Sequence, residues 1–110
     1  MKLPNREKAY IPPEKLYGYL LSETHAIGKS KAKFFRSLGF DNTNIPVLKQ
    51  ELLMLAQTED VIEANSSPFG TKYILDGFIN TPQGTSARIR TVWIIETGEE
   101  RPRFVTAHPN

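Results

Sequence analysis

Apolar residues recur along the chain with two different periods, and the change from one to the other falls near Val61. Before Val61, apolar positions repeat every three or four residues, which is typical of helices with one buried face. After it, apolar and polar residues alternate, which is typical of strands. We therefore predict an α+β fold in which N-terminal helices pack on one face of a four-stranded antiparallel sheet.

Three helices are predicted in the first part of the chain. The first begins at Pro12 and Pro13, because proline suits the first helical turn, where its missing N–H costs nothing. The second spans residues 27–38, and Gly39 supplies the left-handed residue that ends it. The third spans residues 45–57, where apolar residues share one face along the whole length.

Four strands are predicted in the second part of the chain. Short segments rich in Gly, Pro, Asn and Ser separate them, and loops of this length join antiparallel neighbours, so the sheet is a meander. The predicted strands span residues 61–64, 71–79, 87–95 and 103–107.

The two central strands are expected to pair with Ile79 opposite Ala87. One face of this hairpin is then largely apolar, and the other carries the charged residues Lys72, Asp76, Arg88 and Arg90 beside four apolar ones. On the charged face Asp76 lies opposite Arg90, and such cross-strand ion pairs ordinarily stabilise sheets. A slip of one residue would exchange the two faces.

Composition narrows the classes of function. The 110 residues, predicted to form a single domain over residues 1–110, contain no cysteine, which excludes disulfides, thiolate metal sites and cysteine nucleophiles. The two histidines and scattered carboxylates show no metal-ligand spacing, so we expect neither a metal nor another cofactor. The net charge of +2 permits nucleic-acid binding without being diagnostic of it.

No targeting or membrane segment is recognisable. The apolar runs are too short to cross a membrane, and the charged N-terminal segment lacks the apolar stretch of a secretion signal. We therefore expect a cytoplasmic protein without membrane association. Delivery into a neighbouring cell as part of a secreted toxin would leave no mark in this sequence.

Lys31 breaks the pattern of the predicted helix at 27–38. Lys29, Lys33 and Arg36 gather on its polar side, where a solvated charge run is ordinary. Lys31 instead falls in the middle of the apolar stripe. A lysine placed there either carries its charge to water along its aliphatic stem, or points into a cleft where the charge binds phosphate or stabilises a transition state.

Other candidate side chains each have a structural alternative. His25 precedes the basic helix and could transfer protons, or it could be an ordinary surface histidine. Thr106 could contact phosphate or form a cross-strand pair. Lys72, Arg88 and Arg90 could bind substrate phosphates, although the two arginines could equally form sheet salt bridges.

Two further features of the sequence are not predicted to take part in function. The Gly-Lys-Ser at 28–30 resembles the end of a phosphate-binding loop, but the glycine required five residues earlier is replaced by Glu23. His108 lies two residues from the end of the sequence and is expected to fray and take no part.

Together these side chains suit metal-independent RNA cleavage. That reaction needs a base for the 2′-hydroxyl, an acid for the leaving oxygen and cations around the phosphorus. We expect His25 to act as the base or acid and Lys31 to lie beside the scissile phosphate. Strand-borne arginines would face the same cleft, between the basic helix and the sheet.

Three segments resemble a small bacterial family of domains of unknown function. They are HxxGKSKAxFFxxxGF at residues 25–40, VWII at 92–95 and PRFVTAHP at 102–109. Members of that family occur alone and as C-terminal modules of polymorphic toxins. More distantly, the chain resembles the barnase–EndoU–colicin–RelE (BECR) fold of ribonuclease toxins, in which helices pack on a four-stranded antiparallel sheet.

The resemblance implies a ribonuclease toxin of a toxin–antitoxin or polymorphic toxin system, with a catalytic set of His25, Lys31 or Lys29, and Thr106. His108 stands where the last motif of such toxins commonly has a tyrosine. A cognate acidic antitoxin or immunity protein would cover the cleft.

The alternative is a non-catalytic module that holds a protein or RNA in a basic cleft, or an accessory protein of phage-derived machinery. An immunity protein is less expected, because such proteins are commonly acidic when their target is basic.

Overall fold

The computed structural model describes residues 1–24 and 29–110. Helices precede a four-stranded antiparallel sheet along the chain, which confirms the predicted α+β fold. The helical segments in this part of the chain are a 3₁₀ turn at Arg6–Lys8, α1 at Pro13–Lys15, a π-helical turn at Leu16–Leu20, α2 at Lys29–Ser37 and α3 at Ile45–Thr58. The strands are β1 at Glu63–Ser67, β2 at Gly70–Asn80, β3 at Ser86–Glu96 and β4 at Arg103–Pro109. Across residues 1–24 and 29–110, no helix has the length and apolarity that crossing a membrane requires.

The strands lie side by side in chain order, as the predicted meander. In the central hairpin Ile79 lies opposite Ala87, which confirms the predicted register. β1 begins later than predicted, at Glu63, and β4 extends further than predicted, to Pro109. The longer β4 matters for the site, because it draws the last residues of the sequence into the sheet.

The core lies between the helices and one face of the sheet. Leu75 and Trp93 from the sheet pack there with Phe35 from α2 and Leu52 from α3, and all four side chains are fully buried. Each such burial stabilises the fold by about 1.5–3 kcal/mol. Side chains at alternating strand positions point to the opposite side, which we call the outer face.

The ladder of β4 is interrupted by a bulge. Val92 lies opposite Thr106, but the next residue, Trp93, lies opposite Phe104, so Val105 is the extra residue. Beyond the bulge Ala107 is buried in the core. Because strand side chains alternate, the residues on either side of Ala107 belong to the outer face.

The N-terminal segment runs along the start of β4 and brings the helices to that edge of the sheet. The N–H of Tyr10 donates to the carbonyl of Pro102 at 3.0 Å, and the N–H of Phe104 donates to the carbonyl of Tyr10 at 3.0 Å. α1 and the π-helical turn follow directly. Both α1 and α2 therefore contact β4.

α2 ends at Gly39 as the sequence predicts. Gly39 has φ 99°, a left-handed conformation that glycine adopts without strain. The N–H of Gly39 donates to the carbonyl of Arg36 at 3.0 Å, and the N–H of Phe40 donates to the carbonyl of Phe35 at 3.2 Å. This pair of bonds is the Schellman motif, and it turns the fully buried Phe40 into the core.

Candidate functional site

Lys31 and Thr106 come together at the β4 edge through a third residue, Tyr19. The Tyr19 hydroxyl is 2.9 Å from the Thr106 Oγ1. The Lys31 ammonium lies 5.7 Å from the centre of the Tyr19 ring, and the Lys15 ammonium lies 4.7 Å from it. Both distances are within the range of cation–π attraction. The Lys31 side chain is therefore half-buried, and its ammonium lies near the Tyr19 ring. It neither extends directly into water nor points into an open cleft.

A wide helical turn positions Tyr19. The N–H of Leu21 donates to the carbonyl of Leu16 at 2.9 Å, which spans five residues instead of four. Leu16, Leu20 and Leu21 are buried and anchor this turn to the core. Single π-helical turns of this kind are frequent at functional sites. Tyr19 was not among the candidate residues from the sequence, where its only signal was a polar hydroxyl on an otherwise apolar helix face.

The outer face carries a fixed carboxylate–guanidinium pair. Arg90 Nε and Nη2 donate to the two carboxylate oxygens of Asp76, at 2.8 and 2.9 Å. The Asp76 side chain is only 5% exposed, and Arg88 Nη2 lies 4.0 Å from it. The hydrogen bonds from Arg90 hold the pKa of Asp76 below its ordinary value, although burial acts to raise it. The bonds to Asp76 also raise the pKa of Arg90, so both groups stay charged at neutral pH.

His108 lies beside this pair, contrary to the expectation that it would fray. It belongs to β4 and stands opposite Arg90, which itself stands opposite Asp76. The three side chains form a row across three adjacent strands of the outer face. Neighbouring strands are about 4.8 Å apart, so roughly 10 Å separates the ends of the row, from one backbone to the other.

The hydrogen bond of His108 determines which ring nitrogen carries the proton. Its Nδ1 lies 2.9 Å from the carbonyl oxygen of Pro109. A carbonyl oxygen only accepts hydrogen bonds, so Nδ1 must be the donor. In the neutral ring the other nitrogen, Nε2, then carries a lone pair and can accept a proton.

Arg88 and Arg90 do not face the cleft between helix and sheet that the sequence suggested. They alternate with Ile89, which is fully buried in the core, so they point to the outer face. Lys72 is exposed on the same face. Phe78, opposite Arg88, is 64% exposed, and the Arg88 guanidinium carbon lies 5.8 Å from the centre of its ring.

Lys29 lies on a different side of α2 from Lys31. Two residues correspond to about 200° around a helix, so the two side chains diverge. Lys29 and Lys33 line a groove of about 590 Å³ together with Arg36. Arg36 is held there by an ion pair with Glu23 at 3.2 Å. Lys29 is thus separate from the contacts around Tyr19.

His25 falls outside the residues that the structure describes. Its predicted role as a general base or acid stays a prediction. Among the described candidates, the structure joins Lys31 to Thr106 through Tyr19. It sets Lys72, Arg88 and Arg90 on the outer face and leaves Lys29 in its own groove.

Comparison with known proteins adds a family and a fold. The family model described as a domain of unknown function (DUF6883) matches residues 2–110. No curated protein is significantly similar to the sequence. A similar solved structure is a chain from a contact-dependent growth inhibition toxin–immunity protein complex of Klebsiella pneumoniae 342. That chain has a TM-score of 0.70 and 17% sequence identity, and the match covers 96% of each chain. At this identity the similarity shows a shared fold.

Proposed function

This chain belongs to the DUF6883 family, and we propose that it is a toxin-type domain that cleaves RNA without a metal ion or other cofactor. The observation that carries this proposal is the contact between Tyr19 and Thr106 with Lys31 against the same ring. It gathers a cation and two hydroxyls at the β4 edge of a sheet face that also presents Arg88 and Arg90.

RNA cleavage suits these groups because the substrate supplies its own nucleophile, the 2′-hydroxyl. The protein must then transfer protons and stabilise the negative charge that grows on the phosphate oxygens. Lys31 would supply part of that charge, and the Thr106 hydroxyl would bind a phosphate oxygen. His25 is the proton-transfer group that the sequence offers at the start of the basic helix. The order of helices and strands in this chain agrees with the fold expected from its resemblance to ribonuclease toxins.

A cognate protein is the second part of the proposal. The similar solved chain comes from a complex of a growth-inhibition toxin with its immunity protein. This chain carries net charge +2, and the outer face of the sheet exposes the cations Lys72 and Arg88. An acidic partner would complement that surface, and we assign the toxin role to this chain for that reason.

Expression without neighbouring genes tests the function. Induced cells should stop growing while total RNA is degraded. Lys31→Met should lower RNA cleavage by the purified protein about 10²–10³-fold, because it removes a cation from the transition state. Lys49→Met, at an exposed position on α3, is the charge-matched control and should cleave like the parent.

Two results would count against this function. If Lys31→Met folds and cleaves like the parent, Lys31 has no catalytic role. If the parent protein leaves RNA intact under all conditions but still binds a protein or RNA, the chain is a non-catalytic binding module.

A further inference from the structure

Of the row of Asp76, Arg90 and His108, only Arg90 was a candidate from the sequence, where it was expected to bind substrate phosphate. The row lies on the outer face of the sheet, and its three members come from β2, β3 and β4. Thr106 precedes His108 by two residues on the same strand, so both side chains share that face. The row therefore lies next to Thr106, whose hydroxyl contacts the Tyr19 hydroxyl at the β4 edge.

The guanidinium of Arg90 is held in place before any ligand arrives. Asp76 receives two of its five N–H groups, and these two hydrogen bonds fix the plane of the guanidinium. The remaining N–H groups can point toward a ligand, in the planar arrangement that matches two phosphate oxygens. Glu63 on β1 adds to the field that keeps Arg90 charged.

One hydrogen bond favours a single tautomer of the neutral His108 imidazole. Its Nδ1–H donates to the Pro109 carbonyl, which leaves Nε2 as the acceptor. His108 is half-buried in a strand at the sheet edge, with Arg90 as its cross-strand neighbour. A phosphate bound by Arg90 would therefore lie next to a proton acceptor.

We infer that Arg90 and His108 complete the site of the proposed ribonuclease, with Arg90 binding the scissile phosphate that Lys31 and Thr106 approach from the β4 edge, and His108 accepting the 2′-hydroxyl proton. This inference rests on the proposed function, adds two residues to its site, and assigns to His108 the role of base for which the sequence offered His25. The 2′-oxygen forms a bond to phosphorus as its proton passes to Nε2 of His108. The bond from phosphorus to the 5′-oxygen breaks, and that oxygen takes a proton from water. The products are a 2′,3′-cyclic phosphate and a 5′-hydroxyl, and the imidazolium returns its proton to solvent.

The substrate is single-stranded RNA. Phe78 is exposed on the outer face, next to the strand position of Asp76, with Arg88 beside its ring. Exposed aromatic rings bind unpaired bases by stacking, and this contact is lost when the base is paired in a duplex. A nucleotide stacked on Phe78 would have its phosphate near Arg90.

The experiment measures cleavage of a single-stranded RNA oligonucleotide with a fluorescent label at one end. The same sequence is tested as DNA and as an RNA duplex. The variants are His108→Gln, Arg90→Lys and Arg103→Gln, each checked by thermal melting. Arg103 is the matched control, since it lies on the same face and its guanidinium pairs with Glu96 at 2.7 Å. Arg90→Lys keeps the charge and an ion pair with Asp76, so it should fold, but it loses the planar two-oxygen contact.

We expect the parent to cleave single-stranded RNA to cyclic-phosphate ends and to leave DNA intact. His108→Gln should lower the rate about 10²–10⁴-fold, and Arg90→Lys should lower it by at least about 10-fold. Arg103→Gln should cleave like the parent.

Different results would overturn the site assignment and the proposed function. Parental rates in both His108→Gln and Arg90→Lys would overturn the inference while the proposed function stands. An equal loss in Arg103→Gln would also overturn it, because the effect would then be one of charge alone. If the parent leaves every RNA intact, the proposed function fails and this site assignment fails with it.

Discussion

Tyr19 and Thr106 are 87 positions apart in the chain, yet their hydroxyl groups lie 2.9 Å from each other. The contact joins the π-helical turn to the strand that ends the sheet. The Tyr19 ring also lies near the ammonium groups of Lys15 and Lys31, at 4.7 and 5.7 Å from its centre. Lys31, the unexpected cation of the basic helix, thereby reaches the same edge as Thr106.

Removing the Tyr19 hydroxyl should separate its hydrogen bond with Thr106 from the contact of its ring with Lys31. Tyr19→Phe keeps the ring that faces Lys31 but loses the hydrogen bond to Thr106. We expect a loss of about 0.5–1.5 kcal/mol in the free energy of unfolding, as for a typical hydrogen bond. Thr106→Val should cost a similar amount, and the double variant should cost less than the sum of the two. Chemical denaturation measures all three, and strict additivity would show that the two hydroxyls do not interact.

Acid should weaken the link between β2 and β3 through Asp76. The pKa of Asp76 lies below its ordinary value of 3.8, chiefly because Arg90 donates to it. Unfolding raises that pKa, so the stabilisation is present above about pH 4 and disappears as pH falls through the lower, folded-state value. Asp76→Asn should therefore be less stable than the parent at pH 7, by about 1–3 kcal/mol. The gap should narrow toward pH 2.

Thermal melts of the parent and Asp76→Asn across this pH range give the measurement. Glu96→Gln is the control, since its partner Arg103 lies in a more exposed ion pair on the same face. Its melting temperature should change little with substitution, because exposed pairs contribute at most about 1 kcal/mol. A constant gap between parent and Asp76→Asn from pH 7 to pH 2 would contradict the linkage.

Thr91 is a buried polar residue that the sheet requires. Its hydroxyl donates to the carbonyl of Leu75 at 2.9 Å and accepts from the Trp93 Nε1–H at 2.9 Å. Thr91→Val has nearly the same shape but leaves the indole N–H unpaired in the core. We expect a loss of about 1–3 kcal/mol in the free energy of unfolding. Thr91→Ser keeps the hydroxyl and should recover part of the loss; if valine is as stable as threonine, the hydrogen bonds contribute nothing net.

A cognate partner should bind with a rate that depends on salt. Charge complementarity accelerates association, and added salt screens it. Arg88→Glu, on the outer face, should slow association by a factor of about 10 or more at low salt. Arg101→Glu is the control, because Arg101 stacks on Tyr10 near the opposite end of β4. Stopped-flow or surface-binding kinetics provide the rates, and equal rates for both variants would place the partner elsewhere.

Much of the fold could be predicted from the order of apolar residues. The change of period near Val61 separates helices from strands, because a helix and a strand bury different spacings of side chains. The register assumed for the central hairpin, Ile79 opposite Ala87, is confirmed, and with it the pairing of Asp76 with Arg90. Gly39 was predicted to end α2 because a left-handed residue there suits glycine.

The alternation of residues along β3 already indicates which sheet face carries the arginines. Ile89 is apolar and lies between Arg88 and Arg90, so burial of Ile89 requires the arginines to point away from the core. The helices cover the apolar face, and the arginines therefore occupy the other one. Their placement in a cleft between helix and sheet was inconsistent with this alternation.

The sequence by itself determined which segments are helices and strands and which strand face is apolar, since both depend on neighbours within a few residues. Only the tertiary structure decided that Tyr19 meets Thr106 and that His108 stands opposite Arg90. Those contacts depend on a π-helical turn and on a bulge at Val105, each of which shifts the later side chains without leaving a periodic pattern. Contacts between distant residues are set by how whole elements pack, and local spacing does not encode that packing.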